Sequence, residues 1–273
     1  MKTLYVSDLD GTLLRSNQTT SEFTNAVINR LTEQGMVFSY ATARSLVTAK
    51  KVTMGINASI PLIVYNGAFV IDNATEQILI SNYFNQEIET VFAELFSREV
   101  YPIVYSYING AEKFSFIEDR SSAGVRAFLK MRKDDIRRNP VQNIASLTQG
   151  DCFYITCIDE TERLKPLYEK FKDIYHCVYQ RDIYTNEQWL EIMPKAASKS
   201  NAALQLKKYL KCDRLVVFGD GKNDIDMFEI ADECYAVENA VAELKEKATA
   251  VIQCNEEDGV AKWLEKNYNG GWI

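Results

Sequence analysis

The N-terminal third of the chain alternates between two periodicities of apolar and polar residues. Short, mostly apolar runs at 3–7, 36–41 and 61–65 predict buried strands. Between them, residues 21–34 and 45–54 place apolar side chains at helical spacing. Strands that alternate with helices in this order predict a parallel sheet with helices on both faces.

The same alternation returns toward the C-terminus. The predicted helices cover 200–210, 224–231, 241–248 and 260–268, and the predicted strands cover 214–218, 235–237 and 250–252. We therefore expect the two ends of the chain to build one α/β core.

The middle of the chain has a different pattern, with longer and more aromatic strands. Strands are predicted at 101–108, 152–158 and 176–181, and helices at 86–98, 121–131 and 161–172. This order predicts an α+β domain at 84–189, inserted into a core that comprises 1–83 and 190–273.

Composition and charge narrow the classes of function. The chain has 273 residues, 47% of them hydrophobic, and a net charge of −7, which is ordinary for a globular protein. An excess of negative charge disfavours binding to nucleic acids or anionic membranes. Neither a signal-peptide pattern nor an apolar run of membrane-spanning length is present in the sequence, so we predict a cytoplasmic protein.

Histidine and cysteine usage excludes some chemistries. The sequence has one histidine, His176, so a zinc site with two histidine ligands is impossible. A Ser-His-Asp triad could use only this residue. The six cysteines contain no Cys-x-x-Cys pair, so reduced, mostly buried thiols are expected. If the protein is an enzyme, its acid–base chemistry falls to carboxylates or lysine.

Polar side chains follow three predicted core strands, at the carboxyl ends where open α/β sheets bind ligands. These are Asp8 and Asp10 after the first strand, Thr42, Ala43 and Arg44 after the second, and Asp220, Asn223 and Asp224 after the strand at 214–218. Lys199 begins the helix that precedes this last strand, at its positive end.

This set of side chains suits the attack of a carboxylate on phosphorus. Because the attacking carboxylate and a phosphate repel each other, a divalent cation must bridge them, and Mg²⁺ prefers oxygen ligands. Asp8, Asp220 and Asp224 can supply such ligands, while Thr42 and Lys199 can hold a phosphate. Magnesium is therefore the predicted cofactor.

Asp10 is expected to lie near another carboxylate, which should raise its pKa and let it protonate the leaving group. Each feature alone is weak, since loop carboxylates often cap turns and a lone Lys199 is most often solvated. Asn66-Gly67 similarly fits either a type I′ hairpin or a place in the site. The combination at the ends of adjacent strands is much harder to attribute to chance.

The motifs resemble those of haloacid-dehalogenase-superfamily phosphatases of the Cof-type subclass, IIB. The matching segments are Asp8–Leu14, Ala41–Arg44, Lys199 and Gly219–Met227, with Asn66–Ala68 and Trp189–Pro194 as further similarities. The resemblance implies a Rossmann-like, doubly wound parallel sheet core with an inserted α+β cap domain of type 2.

The resemblance also implies roles for single residues. Asp8 would be the nucleophile and a metal ligand, and Asp10 would be the general acid and then the general base, with its backbone carbonyl on the metal. Asp220 would be a direct metal ligand, and Asp224 would lie near the metal or bind it through water. The phosphate-binding residues would be Thr42, Ala43, Arg44, Lys199 and Asn223. Ala43 stands where the family usually has glycine. Since alanine tolerates a positive φ poorly, the loop is expected to differ slightly there.

We therefore predict a magnesium-dependent phosphatase that hydrolyses small phosphorylated metabolites, either sugar phosphates or cofactor phosphates, through an aspartyl-phosphate. A phosphotransferase or phosphomutase would use the same intermediate and pass it to a hydroxyl group. A signalling module with a phospho-aspartate switch is a third possibility, and the inserted domain and Asp10 favour turnover over it. The substrate and the oligomeric state are left open by the sequence.

Overall fold

The computed structural model describes residues 1–57, 59–85, 88–181 and 187–268. The chain forms two compact units, Met1–Ser81 with Ala197–Ile273, and Asn82–Ala196. The predicted return to the core at residue 190 is too early, because Gln188–Met193 pairs as a strand within the sheet of the inserted unit.

The N-terminal part of the first unit alternates strands and helices as predicted up to β3, and two further strands follow without a helix between them. Its elements are β1 (Thr3–Asp8), α1 (Glu22–Glu33), β2 (Val37–Ala41), α2 (Leu46–Val52), β3 (Pro61–Val64), β4 (Phe69–Asp72) and β5 (Ile78–Ser81). Ser21 caps α1, because its side chain accepts a hydrogen bond from the backbone N–H of Thr24. Gly35 follows the helix at φ 94°, the left-handed conformation that often ends a helix.

The inserted unit contributes six strands and four helices to the described residues. They are α3 (Ile88–Ser97), β6 (Ile103–Ile108), β7 (Ala111–Phe116), α4 (Ala123–Met131), β8 (Arg138–Pro140), α5 (Ile144–Leu147), β9 (Asp151–Asp159), α6 (Thr161–Phe171), β10 (His176–Arg181) and β11 (Gln188–Met193). The first two residues of the helix predicted at 86–98 lie outside the described residues.

The C-terminal part completes the first unit. Its elements are α7 (Lys199–Tyr209), β12 (Arg214–Gly219), α8 (Ile225–Ile230), β13 (Glu233–Val237), α9 (Ala242–Lys247), β14 (Ala250–Ile252) and α10 (Gly259–Asn267). No helix among the described residues is long and apolar enough to cross a membrane.

The sheet of the first unit has eight strands in the order β14-β13-β12-β1-β2-β3-β4-β5. Pairing is parallel from β14 to β3 and antiparallel from β3 to β5. Strands β12, β1 and β2 are neighbours, and Asp8 at the end of β1 pairs in register with Ala41 at the end of β2. The three polar strand ends therefore meet at one edge of the sheet.

The sheet of the inserted unit has six strands in the order β10-β11-β9-β6-β7-β8, antiparallel except between β7 and β8. Helices α3 and α6 pack on one face through a buried apolar cluster that includes Leu95, Leu164, Ile155 and Ile192. Strands β7, β8 and β11 and the short helix α5 were not predicted from the sequence.

All six cysteines are free, as expected.

Glu191, on β11, should make the stability of the protein depend on pH. Burial raises its pKa from 4.5 to about 7, partly offset by a hydrogen bond with Tyr154. Because the folded state then holds a proton that the unfolded state releases, stability falls as pH rises from about 4.5 to about 7. Glu191→Gln should therefore be more stable than the natural protein at pH 8, by about 3 kcal/mol at most, and similar to it below pH 4.5.

Urea unfolding of both proteins at the two pH values measures this difference. Glu162→Gln is the matched control, because Glu162 is exposed on α6 and its replacement should change stability little at either pH. A stability difference between Glu191→Gln and the natural protein that is equal at both pH values would contradict the assignment.

Candidate active site

The predicted site residues all belong to the first unit, and a buried lysine lies at their centre. Lys199 is the first residue of α7, a helix that Ser198 caps by accepting a hydrogen bond from the N–H of Asn201. Its Nζ donates to Asp8 Oδ1 and, at 2.8 Å, to Asp224 Oδ1. Only 3% of its surface is exposed, so Lys199 is not the solvated side chain that an isolated lysine suggests.

Burial and charge act in opposite directions on these groups. Burial raises the pKa of Asp8 well above its ordinary value, and the charge of Lys199 only partly offsets that effect. Burial alone would lower the pKa of Lys199, but the carboxylates of Asp224 and Asp8 raise it. Lys199 therefore stays protonated between two carboxylates, and its removal would leave them without a compensating charge.

Asp224 connects this lysine to the loop that follows β12. Its Oδ1 accepts from Lys199, while its Oδ2 accepts from the backbone N–H groups of Asp220 and Gly221, each at 3.1 Å. Both oxygens thus bind groups of the protein. Asp224 fixes the loop that carries Asp220 as well as offering oxygen ligands.

The carboxylates of Asp8, Asp220 and Asp224 each place an oxygen within 4.8 Å of the others. Burial raises the pKa of Asp220 to about 6, and the charge of Asp224 adds to this while a hydrogen bond from Thr12 opposes it. Three carboxylates around one lysine leave an excess of negative charge. Oxygen ligands with such an excess suit a divalent cation such as Mg²⁺, so these residues could hold one.

Two residues of the first motif that were given no role in the site, Gly11 and Thr12, position Asp220. Thr12 Oγ1 donates a hydrogen bond to Asp220 Oδ1 at 2.9 Å. Gly11 has φ 82°, and a Cβ at this residue would lie 2.4 Å from Asp220 Oδ2. A side chain at Gly11 would therefore displace the carboxylate, which explains why Gly-Thr directly follows Asp10.

Asp10 forms its hydrogen bonds with Arg44, and its charge also contributes to the raised pKa of the neighbouring Asp220. Its Oδ2 accepts from Arg44 Nε at 2.9 Å and its Oδ1 accepts from Arg44 Nη2 at 2.5 Å. The charged group that Asp10 contacts directly is thus the guanidinium of Arg44, a residue that we predicted to bind phosphate. A metal contact through the backbone carbonyl of Asp10 stays a prediction.

The remaining predicted phosphate ligands lie on the loops that follow β2 and β12. Thr42 is buried, and its Oγ1 accepts from the N–H of Arg44 at 3.1 Å. Ala43 is exposed and is not among the described residues with a positive φ, so alanine is accommodated here without backbone strain. Asn223 is exposed, and its Oδ1 lies 2.4 Å from the place of a Cβ on Gly221. Their phosphate contacts stay predictions.

Asn66-Gly67 does lie between two antiparallel strands, but the connection is not a two-residue turn. Val64 pairs with Phe69, which leaves four residues in the link, and Tyr65, Asn66 and Gly67 all have positive φ. A Cβ on Gly67 would lie 2.3 Å from the carbonyl oxygen of Ser198. The glycine thus lets this link pack against the start of α7, next to Lys199.

Comparisons with known proteins identify the family of this chain. A family model of haloacid dehalogenase-like hydrolases matches residues 5–264. The 5-amino-6-(5-phospho-D-ribitylamino)uracil phosphatase YwtE of Bacillus subtilis is 26% identical over 285 positions, covering 96% of this chain and 97% of the relative. A Haemophilus influenzae protein is 30% identical over 270 positions, and this match likewise covers 96% of this chain and 97% of the relative.

The solved structures give the same result. A crystal structure from Thermotoga maritima superposes with a TM-score of 0.78 at 27% identity, covering 98% of both chains. The predictions of the family, of the fold class and of a hydrolytic enzyme are therefore confirmed. The chain belongs to the haloacid dehalogenase-like hydrolases.

Proposed function

We propose that this haloacid dehalogenase-like hydrolase is a magnesium-dependent phosphatase, which hydrolyses small phosphorylated metabolites through an aspartyl-phosphate on Asp8. The observation that carries the proposal is the group formed by the buried Asp8, Lys199 and Asp224 and the partly buried Asp220, which the ends of β1 and β12 and the start of α7 bring together. The YwtE relative is named for a small phosphorylated ribityl compound, and that supports the same class of substrate here.

The first half of the reaction transfers the phosphoryl group to the enzyme. A carboxylate oxygen of Asp8 attacks phosphorus, and the bond between phosphorus and the ester oxygen breaks as the new bond forms. Asp10 gives its proton to the departing ester oxygen, so that the alcohol leaves in neutral form. Lys199 donates to Asp8 Oδ1 and thereby fixes the direction of the attacking group.

The second half returns the enzyme to its starting state. Asp10, now a carboxylate, takes a proton from water as the water oxygen attacks phosphorus. The bond between phosphorus and Asp8 breaks, inorganic phosphate leaves, and the Asp8 carboxylate is regenerated. In both halves Thr42 and Lys199 hold the phosphate oxygens, by hydrogen bonding and by charge.

Asp8, Asp220 and Asp224 would hold the magnesium ion, with the backbone carbonyl of Asp10 as a further ligand. The ion would neutralise the repulsion between the attacking carboxylate and the phosphate. The excess of negative charge among the three carboxylates supports this assignment.

We further propose that the two units have different roles in the reaction. The first unit, which holds every residue named for the chemistry, would be the catalytic core, and Asn82–Ala196 would be the cap. The cap would supply selectivity, because contacts to the phosphate are common to all substrates and discriminate little between them.

A panel of phosphorylated metabolites tests this function, with release of inorganic phosphate as the readout. Activity should disappear in excess chelator and return when magnesium is added. Calcium should substitute poorly, since its larger and looser coordination shell would misplace Asp8 relative to phosphorus. Asp220→Ala should raise the magnesium concentration that is required for half-maximal rate.

Two outcomes would refute the proposal. Full activity in excess chelator would rule out the metal site. A folded phosphoprotein dephosphorylated faster than every sugar phosphate and cofactor phosphate in the panel would rule out the substrate class.

A further inference from the structure

We propose that Arg44 is a positioning residue, which orients the carboxyl group of Asp10 for proton transfer rather than binding the phosphate of the substrate. The inference rests on the proposed function, because it concerns the proton donor of that reaction. Its basis is the paired contact between the two side chains, Nε to Oδ2 at 2.9 Å and Nη2 to Oδ1 at 2.5 Å.

The backbone of Arg44 is fixed on both sides. Its N–H donates to Thr42 Oγ1 at 3.1 Å, and its carbonyl oxygen accepts from the N–H of Tyr65 at 3.0 Å. Thr42 is itself tied to the next strand, because its N–H donates to the carbonyl oxygen of Ile63. The start of the Arg44 side chain is therefore held by the sheet edge that carries the site.

The side chain of Asp10 is much less confined. About half of it is exposed, 52%, whereas only 22% of the Arg44 side chain is exposed. The arginine is thus the more buried partner, and it can impose its geometry on the carboxyl group. A guanidinium that contacts both carboxylate oxygens fixes the plane of the carboxylate as well as its position.

Gln18 restrains the guanidinium from a further side. Its Oε1 lies 3.4 Å from Arg44 Nη2, and its backbone has φ 60°. The arginine thus contacts groups from the loops after β1 and β2. The contacts of the guanidinium join it to Asp10 and to Gln18 on the loop that follows β1, which is the arrangement expected of a residue that acts through another.

A double-mutant cycle separates this role from direct binding of the phosphate. Arg44→Gln should lower kcat/KM for an alkyl phosphate by about 10²-fold, the size of a general-acid contribution. The loss should be much smaller for an activated aryl phosphate, whose leaving oxygen needs no proton. In an Asp10→Asn background, Arg44→Gln should cause almost no further loss, because the group that it positions is already inactive.

The conservative variant tests the geometry. Arg44→Lys keeps the positive charge but cannot contact both oxygens in one plane, so it should not restore the rate on the alkyl phosphate. Full activity of Arg44→Lys would overturn the claim that the paired contact matters. Circular dichroism of each variant confirms that differences in rate do not come from unfolding.

The rates of the Asp10→Asn and Arg44→Gln variants separate failure of the positioning role from failure of the proposed function. If Asp10→Asn itself retains full activity on the alkyl phosphate, the proposed function loses its proton donor. If Asp10→Asn is impaired but Arg44→Gln lowers kcat/KM equally in both backgrounds, only the positioning role fails. Arg44 would then contact the substrate directly.

Discussion

Replacing Asp8 with asparagine should reduce phosphate release on the order of 10⁴-fold or more, while the protein remains folded. The amide keeps the shape of the side chain but cannot attack phosphorus. Folding should be retained, since burial already opposes the charged form of Asp8 and the uncharged amide avoids that cost. Steady-state rates of phosphate release, with a thermal unfolding curve for each protein, check both parts.

Glu246→Gln is a suitable control for this variant. It makes the same change from carboxylate to amide in the first unit, on the exposed side of α9, and should leave the rate unchanged. Asp8→Asn with ordinary phosphatase activity would remove the nucleophile from the proposed mechanism.

Replacing Lys199 with methionine should cost about 3–5 kcal/mol of folding free energy, in addition to activity. The variant leaves the Asp8 and Asp224 carboxylates buried close together without the ammonium group that both contact. Breaking a buried ion pair from one side is expensive, because the remaining charges are uncompensated. Equilibrium unfolding in urea at neutral pH measures the loss.

Lys208→Met provides the comparison, since Lys208 lies on the same helix with an exposed side chain and should change stability by about 0.5 kcal/mol or less. Adding Asp224→Asn to the Lys199→Met variant should recover part of the stability, because one of the two uncompensated charges is then removed. Equal unfolding curves for Lys199→Met and Lys208→Met would contradict the buried position of Lys199.

The alternation of strands and helices in the core was predictable because apolar periodicity records burial directly. Parallel central strands are covered on both faces, so β1, β2 and β12 appear in the sequence as continuous apolar runs. Since the carboxyl ends of parallel neighbours lie at one edge, the meeting of the three polar strand ends could be predicted as well.

The inserted unit was harder to predict, as β7 illustrates. Only the second half of this strand is buried, so its sequence lacks a full apolar alternation. The turn before β7 has a clearer sequence pattern than the strand itself. Asn109 and Gly110 both have positive φ and join the paired residues Ile108 and Ala111, which is the two-residue hairpin that the Asn-Gly pattern predicts.

The same dipeptide at Asn66-Gly67 forms a longer, buried link that packs against the start of α7. Its conformation depends on a residue far along the chain, Ser198, and so cannot be derived from local sequence. The pairing of Asp10 with Arg44 was missed for a similar reason. Their sequence spacing does not say which of several nearby charges each side chain meets.

The central claim is that hydrolysis proceeds through a phosphoryl group on Asp8. The most direct test is acid quenching during turnover of the best substrate, followed by mass mapping of the modified residue in the natural protein and in Asp10→Asn. We expect one phosphoryl group on the peptide that holds Asp8, with more of it in Asp10→Asn because the attack of water is slowed there. Release of phosphate without any phosphoryl group on Asp8 in either protein would contradict the account.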